Sequence, residues 1–410
     1  MSNETRCCIV GAGPAGMFLA LLLARRGVTV TVLELHRDLD RDFRGDTVHA
    51  STLEVLDQIG LADRLLALPH AKMRQVTLHT AARTLELVDF SRLKTRFPYV
   101  MVMPQVVFLN YLHEQAKSYP GFRCVLGAQV QQLVEVDGRV SGVRYRRDGE
   151  EHELRADLVI AADGRFSRLR KLAGLEAESL SPPMDVCWFR LPREASDGHE
   201  AGGFFVGQGR MLIALPRSDE WQIGYVFPKG DFKTLRESGI QAFRDSIAAT
   251  APWLAGRTDV IHGWERVHLL TVSSDRLPTW HRPGLLCIGD AAHVMSPVGG
   301  VGINAAIGDA VEAANVLTRP LLDAVAPGEA ALAEVQRRRE VPTRIIQGLQ
   351  ARIQDTVVSR ALRDEEFHLP LPARLILATP GLRNLPPRIF AQGIKPLRLE
   401  ALPRTEHQRT

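Results

Sequence analysis

The sequence predicts an α/β protein: a parallel-sheet domain with helices on both faces, an antiparallel sheet inserted into it, and a helical C-terminal segment. Three observations predict it. A strand, a glycine turn, a helix and a second strand follow one another within the first 34 residues. An alternating, aromatic-rich texture occupies Met184 to His268, and short buried-type strands resume at Leu285, so the sheet interrupts the first domain instead of following it.

The elements follow in order. Arg6-Cys-Cys-Ile-Val-Gly reads as a short buried strand, Ala15 to Arg26 as a buried helix closed by Gly27, and Val28 to Glu34 as a β-branched strand. Together they make a βαβ unit, the opening of a Rossmann-like domain. Helices are expected at Ser51 to Ile59, Gln105 to Ser118, Gly239 to Thr250 and Asn304 to Thr318, and buried strands at Leu158 to Ala162 and Leu285 to Ile288. Val76 to Val88 alternates and is expected to add edge strands. Within the inserted sheet Trp221, Ile223, Tyr225 and Phe227 share one face, and Trp188 and Arg190 another. An apolar face of this kind could cover an aromatic ligand, but packing against the sheet's own helix is the commoner fate. The resulting division is 1–75, 99–178 and 268–345 for the first domain, 76–98 and 179–267 for the inserted one, and 346–410 for the C-terminal segment.

Composition bounds the function. A chain of 410 residues at roughly 150 per domain has two to three domains, enough to line an internal cavity. Net charge is +4 and no run of basic residues forms a stripe, which argues against a nucleic-acid partner. Five scattered cysteines, with no Cys-x-x-Cys pair and no histidine at ligand spacing, argue against a metal site and for a reduced, cytoplasmic chain. Met1 to Arg6 is polar, so no secretory signal is readable, and the apolar stretch Met17 to Ala24 stops at Arg25-Arg26, too short to span a bilayer.

Three motifs carry chemistry. Gly11-Ala-Gly13-Pro-Ala15-Gly16 is a Gly-x-Gly-x-x-Gly turn, weak alone but here set between strand and helix. Gly11 permits the tight turn, Gly13 lets backbone approach a pyrophosphate, and Gly16 lets helix pack on strand, while the helix N-terminus offers N–H groups to the anion. Glu34, at the end of the second strand, stands where an acid accepts hydrogen bonds from an adenosine ribose. The pattern indicates an adenine dinucleotide and leaves NAD and FAD open. The second motif, Asp157 to Arg170, runs a buried strand into Asp163-Gly164 and a basic helix start. The third, Gly284 to Asn304, runs a strand into Gly289-Asp290, then Pro297 and the glycines Gly299, Gly300 and Gly302 before Ile303 and Asn304. Taken singly, Asp290 also reads as an ordinary helix N-cap.

These motifs, in this order, resemble the class A flavoprotein monooxygenases, the aromatic-hydroxylating family of para-hydroxybenzoate hydroxylase. The resemblance implies non-covalent FAD, with NADH or NADPH binding only transiently, since one dinucleotide turn is present and not two. It implies that Asp290 holds the ribityl chain, that Pro297 to Asn304 lie beside the isoalloxazine, with Pro297, Gly299 and Gly300 at the reacting ring, and that Asp163-Gly164 support FAD and the passing nicotinamide. Arg44-Gly45 matches the family's Arg-Gly element, whose guanidinium reaches FAD. Gln105 is a departure, standing where many members carry an arginine aimed at the pyrophosphate; it can donate a hydrogen bond but no charge. The implied reaction is insertion of one atom of molecular oxygen, through a flavin C4a-hydroperoxide, into a phenolic or quinoid, lipophilic aromatic. A flavin-dependent reductase or dehydrogenase of the same fold, and a non-catalytic FAD-binding protein, remain alternatives. A halogenase is disfavoured because Trp221-Gln-Ile-Gly-Tyr-Val-Phe-Pro lacks the second tryptophan of that family's Trp-x-Trp-x-Ile-Pro signature.

Three further features have two readings each. His49 could be a base near the ring or a satisfied loop histidine, and His293 reads as structural. From Phe367 to Leu399 the chain carries Arg374, Arg383, Arg388, Lys395 and Arg398 with no acid. A proline-punctuated strap packed on the first domain is favoured there over a basic rim, with short helices at Ala373 to Ala378 and Pro387 to Gln392, touching an anionic membrane. Oligomeric state is not readable.

Overall fold

Glu4–Val10 is the middle of an eight-stranded sheet because Cys7, Cys8, Ile9 and Val10 have no polar face to turn to water. In this computed structural model, which describes residues 3–40, 46–180, 182–194, 196–197, 201–363 and 370–401, the strand pairs in parallel with Val30–Glu34 on one side and Glu150–Ala161 on the other. Leu285–Cys287 extends the sheet in parallel beyond Glu150–Ala161, and Phe122–Leu126 extends it beyond Val30–Glu34. The carboxyl ends of the central strands therefore deliver the glycine turn, Asp163 and Asp290 to the same edge, where open α/β sheets bind ligands.

The first helix is Pro14–Arg25, one residue earlier than the apolar run suggests, because a proline fits the first helical position. It packs against Gly302–Leu322, which extends beyond the expected Asn304 to Thr318 at both ends. The expected helices near Ser51, Gln105 and Gly239 occur as Ala50–Gln58, Gln105–Lys117 and Gly239–Thr250.

A seven-stranded sheet stands over that edge, in the order His268–Leu270, Met184–Pro192, Glu220–Pro228, Arg210–Pro216, Ala201–Gly207, Gln75–Thr80, Thr84–Asp89. The last two are the edge strands expected from Val76 to Val88. Trp221, Ile223, Tyr225 and Phe227 pack on Phe243 and Ile247 of the helix Gly239–Thr250, so that face is core. The opposite face, with Trp188, Met211 and Val226, looks back toward the first sheet.

The helix Glu329–Ile353 crosses the 345/346 boundary expected for the C-terminal segment. Beyond it Leu371–Ala378 and Leu385–Gln392 are the two expected short helices, each started early by a proline in its first turn.

Candidate active site

Space and crowding sort the glycine turn. A Cβ on Gly11, whose φ is +105°, would lie 2.3 Å from the Ala162 carbonyl oxygen, and one on Gly16 would lie 2.0 Å from the Gly11 oxygen. A Cβ on Gly13 would meet nothing within 4 Å. Gly11 and Gly16 thus let turn, helix and neighbouring strand close on one another, and Gly13 faces open space at the N-terminus of a helix with no acid in its first turn. Glu34 braces this cradle: Oε2 accepts the Ala12 N–H at 2.7 Å and Oε1 the His36 N–H at 3.0 Å.

One cavity of about 960 Å³ runs from that turn to the inserted sheet. Of the residues singled out from sequence, Gly11, Gly13, Ala15, Glu34, Gln105, Asp163, Gly164, Asp290, Pro297, Gly299, Gly300, Gly302 and Ile303 line it. Gly16, Gly289 and Asn304 stand behind its wall. A Cβ on Gly289 would sit 3.0 Å from that of Ala15, so this glycine serves close packing. The Asn304 side chain is turned to the neighbouring helix, where Oδ1 accepts the His49 N–H and the Thr52 hydroxyl, both at 2.9 Å. Arg44 lies outside the described residues.

The two aspartates differ in their surroundings. Asp163 accepts the Ser167 hydroxyl at 2.5 Å and the Arg168 and Leu169 N–H groups at 2.7 and 3.1 Å, so it ties the helix Arg168–Leu172 to the strand end. Burial pushes its carboxyl up, and these donors only partly offset that. Asp290 lies inside the short 3₁₀ turn Gly289–Ala291, whose N-cap is Ile288, so the N-cap reading is not realised. Behind them Asp309, fully buried, accepts from His293 Nε2 at 2.7 Å, Arg339 Nε at 2.8 Å and the Gly289 N–H at 2.9 Å. Burial pushes that carboxyl up, but His293 and Arg339 outweigh it and hold it below its ordinary value. His293 is structural, as its sequence setting indicates.

Pro297, Val298, Gly299 and Gly300 line the cavity between its two ends. Gly299, at φ +78°, lies against the Phe390 ring, where a Cβ would come within 2.5 Å, and Gly300 is held by the Thr47 hydroxyl, which donates to its carbonyl at 2.8 Å. His49 is buried, and its Nδ1 lies 2.5 Å from the Phe390 carbonyl. Burial drives its pKa down to about 4, so it is neutral and unsuited to serve as a base at neutral pH.

Sequence reasoning missed the acid on this wall. Asp46 is 3% exposed and lines the cavity beside Thr47. Its Oδ2 accepts from Arg217 Nη2 at 2.7 Å and Nε at 2.9 Å, and Arg217 Nη1 donates to Glu220 at 2.6 Å. Burial raises the Asp46 carboxyl to about 6, with Arg217 and the Gln105 N–H pulling the other way. Asp46 follows Arg44-Gly45 in the sequence, but its partner is 171 residues away, and no local pattern links them. On the sheet side the wall is apolar except at Gln222: Met184, Trp188, Phe204, Met211, Ile213 and Val226, closed from the C-terminal helices by Ile376, Leu377, Ile389 and Phe390.

A glycine turn at a helix N-terminus, continuous with an apolar chamber under an inserted sheet, is an arrangement that can hold a dinucleotide and enclose an apolar ligand beside it. The model of the FAD binding domain family matches residues 4–348, and the chain belongs to that family. It is 34% identical to 6-methylpretetramide 4-monooxygenase of Streptomyces rimosus, over 97% of this chain and 94% of the relative. Pentachlorophenol 4-monooxygenase of Sphingobium chlorophenolicum is 26% identical over 75% of this chain and 57% of its own length. Among solved structures, Pseudomonas aeruginosa PqsL in complex with 2-aminobenzoylacetate superposes with a TM-score of 0.77 at 22% identity, covering 88% of this chain and 98% of that one, a likeness of fold. The protein is an FAD-dependent, NAD(P)H-consuming monooxygenase of the aromatic-hydroxylase type.

Proposed function

We propose that the substrate is a lipophilic phenolic or quinoid aromatic bound between the Pro297–Gly300 turn and the apolar face of the inserted sheet. The observation that carries this reading is the chamber wall of Met184, Trp188, Phe204, Met211, Ile213 and Val226, which rewards apolar rings and excludes water. Support for a polar cofactor half comes from the opposite end of the same cavity, where Gly13, Glu34, Asp163 and Asp290 converge.

In this reading the Gly13 and Ala15 backbone meets the pyrophosphate of non-covalent FAD, Glu34 the ribose, and Asp290 the ribityl hydroxyls. Gln105 donates a hydrogen bond without charge, and Gly302 and Ile303 open a helix with no acid in its first turn, which favours negative charge on the ring's pyrimidine side. When bound, FAD accepts a hydride from transiently bound NADH or NADPH and, with oxygen, supplies the oxygen atom transferred. Pro297, Gly299 and Gly300 hold the ring edge, and Asp46, paired with Arg217, is the wall carboxyl able to exchange a proton near neutral pH. The FAD domain is made of 1–75, 99–178 and 268–345, the substrate domain of 76–98 and 179–267. A cytoplasmic setting is supported by the five free cysteines, four of them buried. Among the described residues no helix is long and apolar enough to cross a membrane.

The test is anaerobic reduction of the FAD-loaded protein with NADH or NADPH in the presence of phenols and quinones, followed by admission of oxygen. Hydroxylated product is expected with lipophilic phenols. Reduced flavin that is reoxidised with no product from any of them, while the reductant saturates a carbon–carbon double bond, would favour the reductase alternative.

A further inference from the structure

The chamber's sheet-side wall has a polar side chain whose oxygen no described residue satisfies. Gln222 lies on Glu220–Pro228 between Trp221 and Ile223, which face the core, so its own side chain faces the chamber. It is 3% exposed, and its Oε1 has no hydrogen-bond partner. A buried amide oxygen without a donor is unfavourable, and at the chamber wall a ligand hydroxyl could supply that donor. Its cross-strand neighbours offer none: Leu215 is apolar, and the Arg190 guanidinium is paired with Glu220.

Among the described residues, the cations around this wall are also committed. Arg217 gives its guanidinium to Asp46 and Glu220, and His49 is neutral. Among the described residues, the arginines that line the cavity are Arg165 and Arg168, at the Asp163 end and away from the sheet. A carboxylate on the substrate would therefore be buried near the Asp46 carboxyl with no counter-ion among the described residues, at a cost that a neutral hydroxyl escapes.

Building on the phenolic reading above, we propose that Gln222 is the specificity-determining residue of the chamber. Its Oε1 accepts a hydrogen bond from a substrate hydroxyl, and the site discriminates against carboxylated aromatics. Gln222 would hold one polar end of the ring system while the rest lies along Trp188, Met211 and Ile213.

The test uses the oxidised, FAD-loaded protein at pH 7.5 and three probes of one shape: 1-naphthol, 1-methoxynaphthalene and 1-naphthoate. Binding is read by flavin difference spectra and by equilibrium dialysis, with no turnover. Naphthol should bind about tenfold more tightly than its methyl ether, which cannot donate, and naphthoate should bind at least tenfold more weakly than naphthol. In Gln222→Leu and in the longer, unbranched Gln222→Met, naphthol should fall to the level of the ether while the ether is unchanged. Either variant that retains the flavin spectrum suffices. Equal binding of naphthol and ether by the native protein, survival of the preference in both variants, or naphthoate binding as tightly as naphthol overturns the proposal. If the ether and naphthol both bind but without preference, the apolar chamber stands and only the role of Gln222 falls. If none of the three binds, the phenolic reading falls with it.

Discussion

Alanine at position 13 should separate cofactor binding from folding. Gly13 has φ −70° and ψ −178°, a conformation open to any L-residue, and its Cβ would meet no protein atom within 4 Å. Gly13→Ala should therefore leave the apoprotein as stable as the parent or slightly more so. The restricted unfolded chain contributes about 0.4–1 kcal/mol, a rise of roughly 1–2 °C in Tm for a chain of this size. The same methyl group occupies the space a pyrophosphate needs. Losing one charge-assisted hydrogen bond of about 1.5–3 kcal/mol weakens FAD roughly 10- to 150-fold. Gly16→Ala is the contrasting variant: its Cβ would fall 2.0 Å from the Gly11 backbone oxygen, so strand, turn and helix cannot close, and stability and FAD should be lost together. Apoprotein melting by circular dichroism and FAD titration by flavin fluorescence read the two effects separately. The reasoning is refuted if Gly13→Ala lowers apoprotein stability as much as Gly16→Ala, or if it binds FAD like the parent.

Other variants test the surroundings. Asp309→Asn leaves the buried Arg339 guanidinium without its counter-charge and should cost about 3–5 kcal/mol in urea unfolding. Since the native Asp309 pKa is depressed, that contribution is present above the unfolded value near 3.8 and should fade only as pH falls below it. Asn304→Ala orphans the buried His49 N–H and Thr52 hydroxyl and should cost about 2–3 kcal/mol by the same measurement. His49, held neutral down to about pH 4 against 6.5 when unfolded, contributes stability that is whole above pH 6.5 and lost as pH falls toward 4; His49→Gln should flatten that slope. With Asp46 ionising near 6, kcat/KM should fall as pH drops through that value, and Asp46→Asn should abolish the limb. Charge reversal at the exposed Arg374 and Arg388 should leave activity unchanged, and the native protein should show no salt-sensitive co-sedimentation with anionic liposomes, as a strap would behave.

The end of the cavity at the glycine turn was legible in the sequence because it is local. Gly11 to Gly16 and Glu34 form one unit, and Asp163 and Gly289-Asp290 each end a short apolar strand. The end under the inserted sheet was not, because it depends on parity and on distant pairing. Alternation alone showed that Trp221 and Gln222 point in opposite directions. Which of the two faces met the helix Gly239–Thr250 and which met the first sheet was settled by tertiary packing. Asn304 reads as a ring neighbour in its motif, yet its side chain is used to hold Ala50–Gln58, since only the fold brings His49 and Thr52 beside it.

The position of Glu4–Val10 in the middle of its sheet bears on how the protein is made. This strand leaves the ribosome before both of its partners, and Val30–Glu34 can pair with it early, but Glu150–Ala161 emerges more than a hundred residues later. Until then one edge of an apolar strand is open to any other chain. The chamber closes later still, when Leu385–Gln392 brings Phe390 against Gly299. Slower elongation, lower temperature or a chaperone that shields strand edges should therefore raise the yield of folded protein.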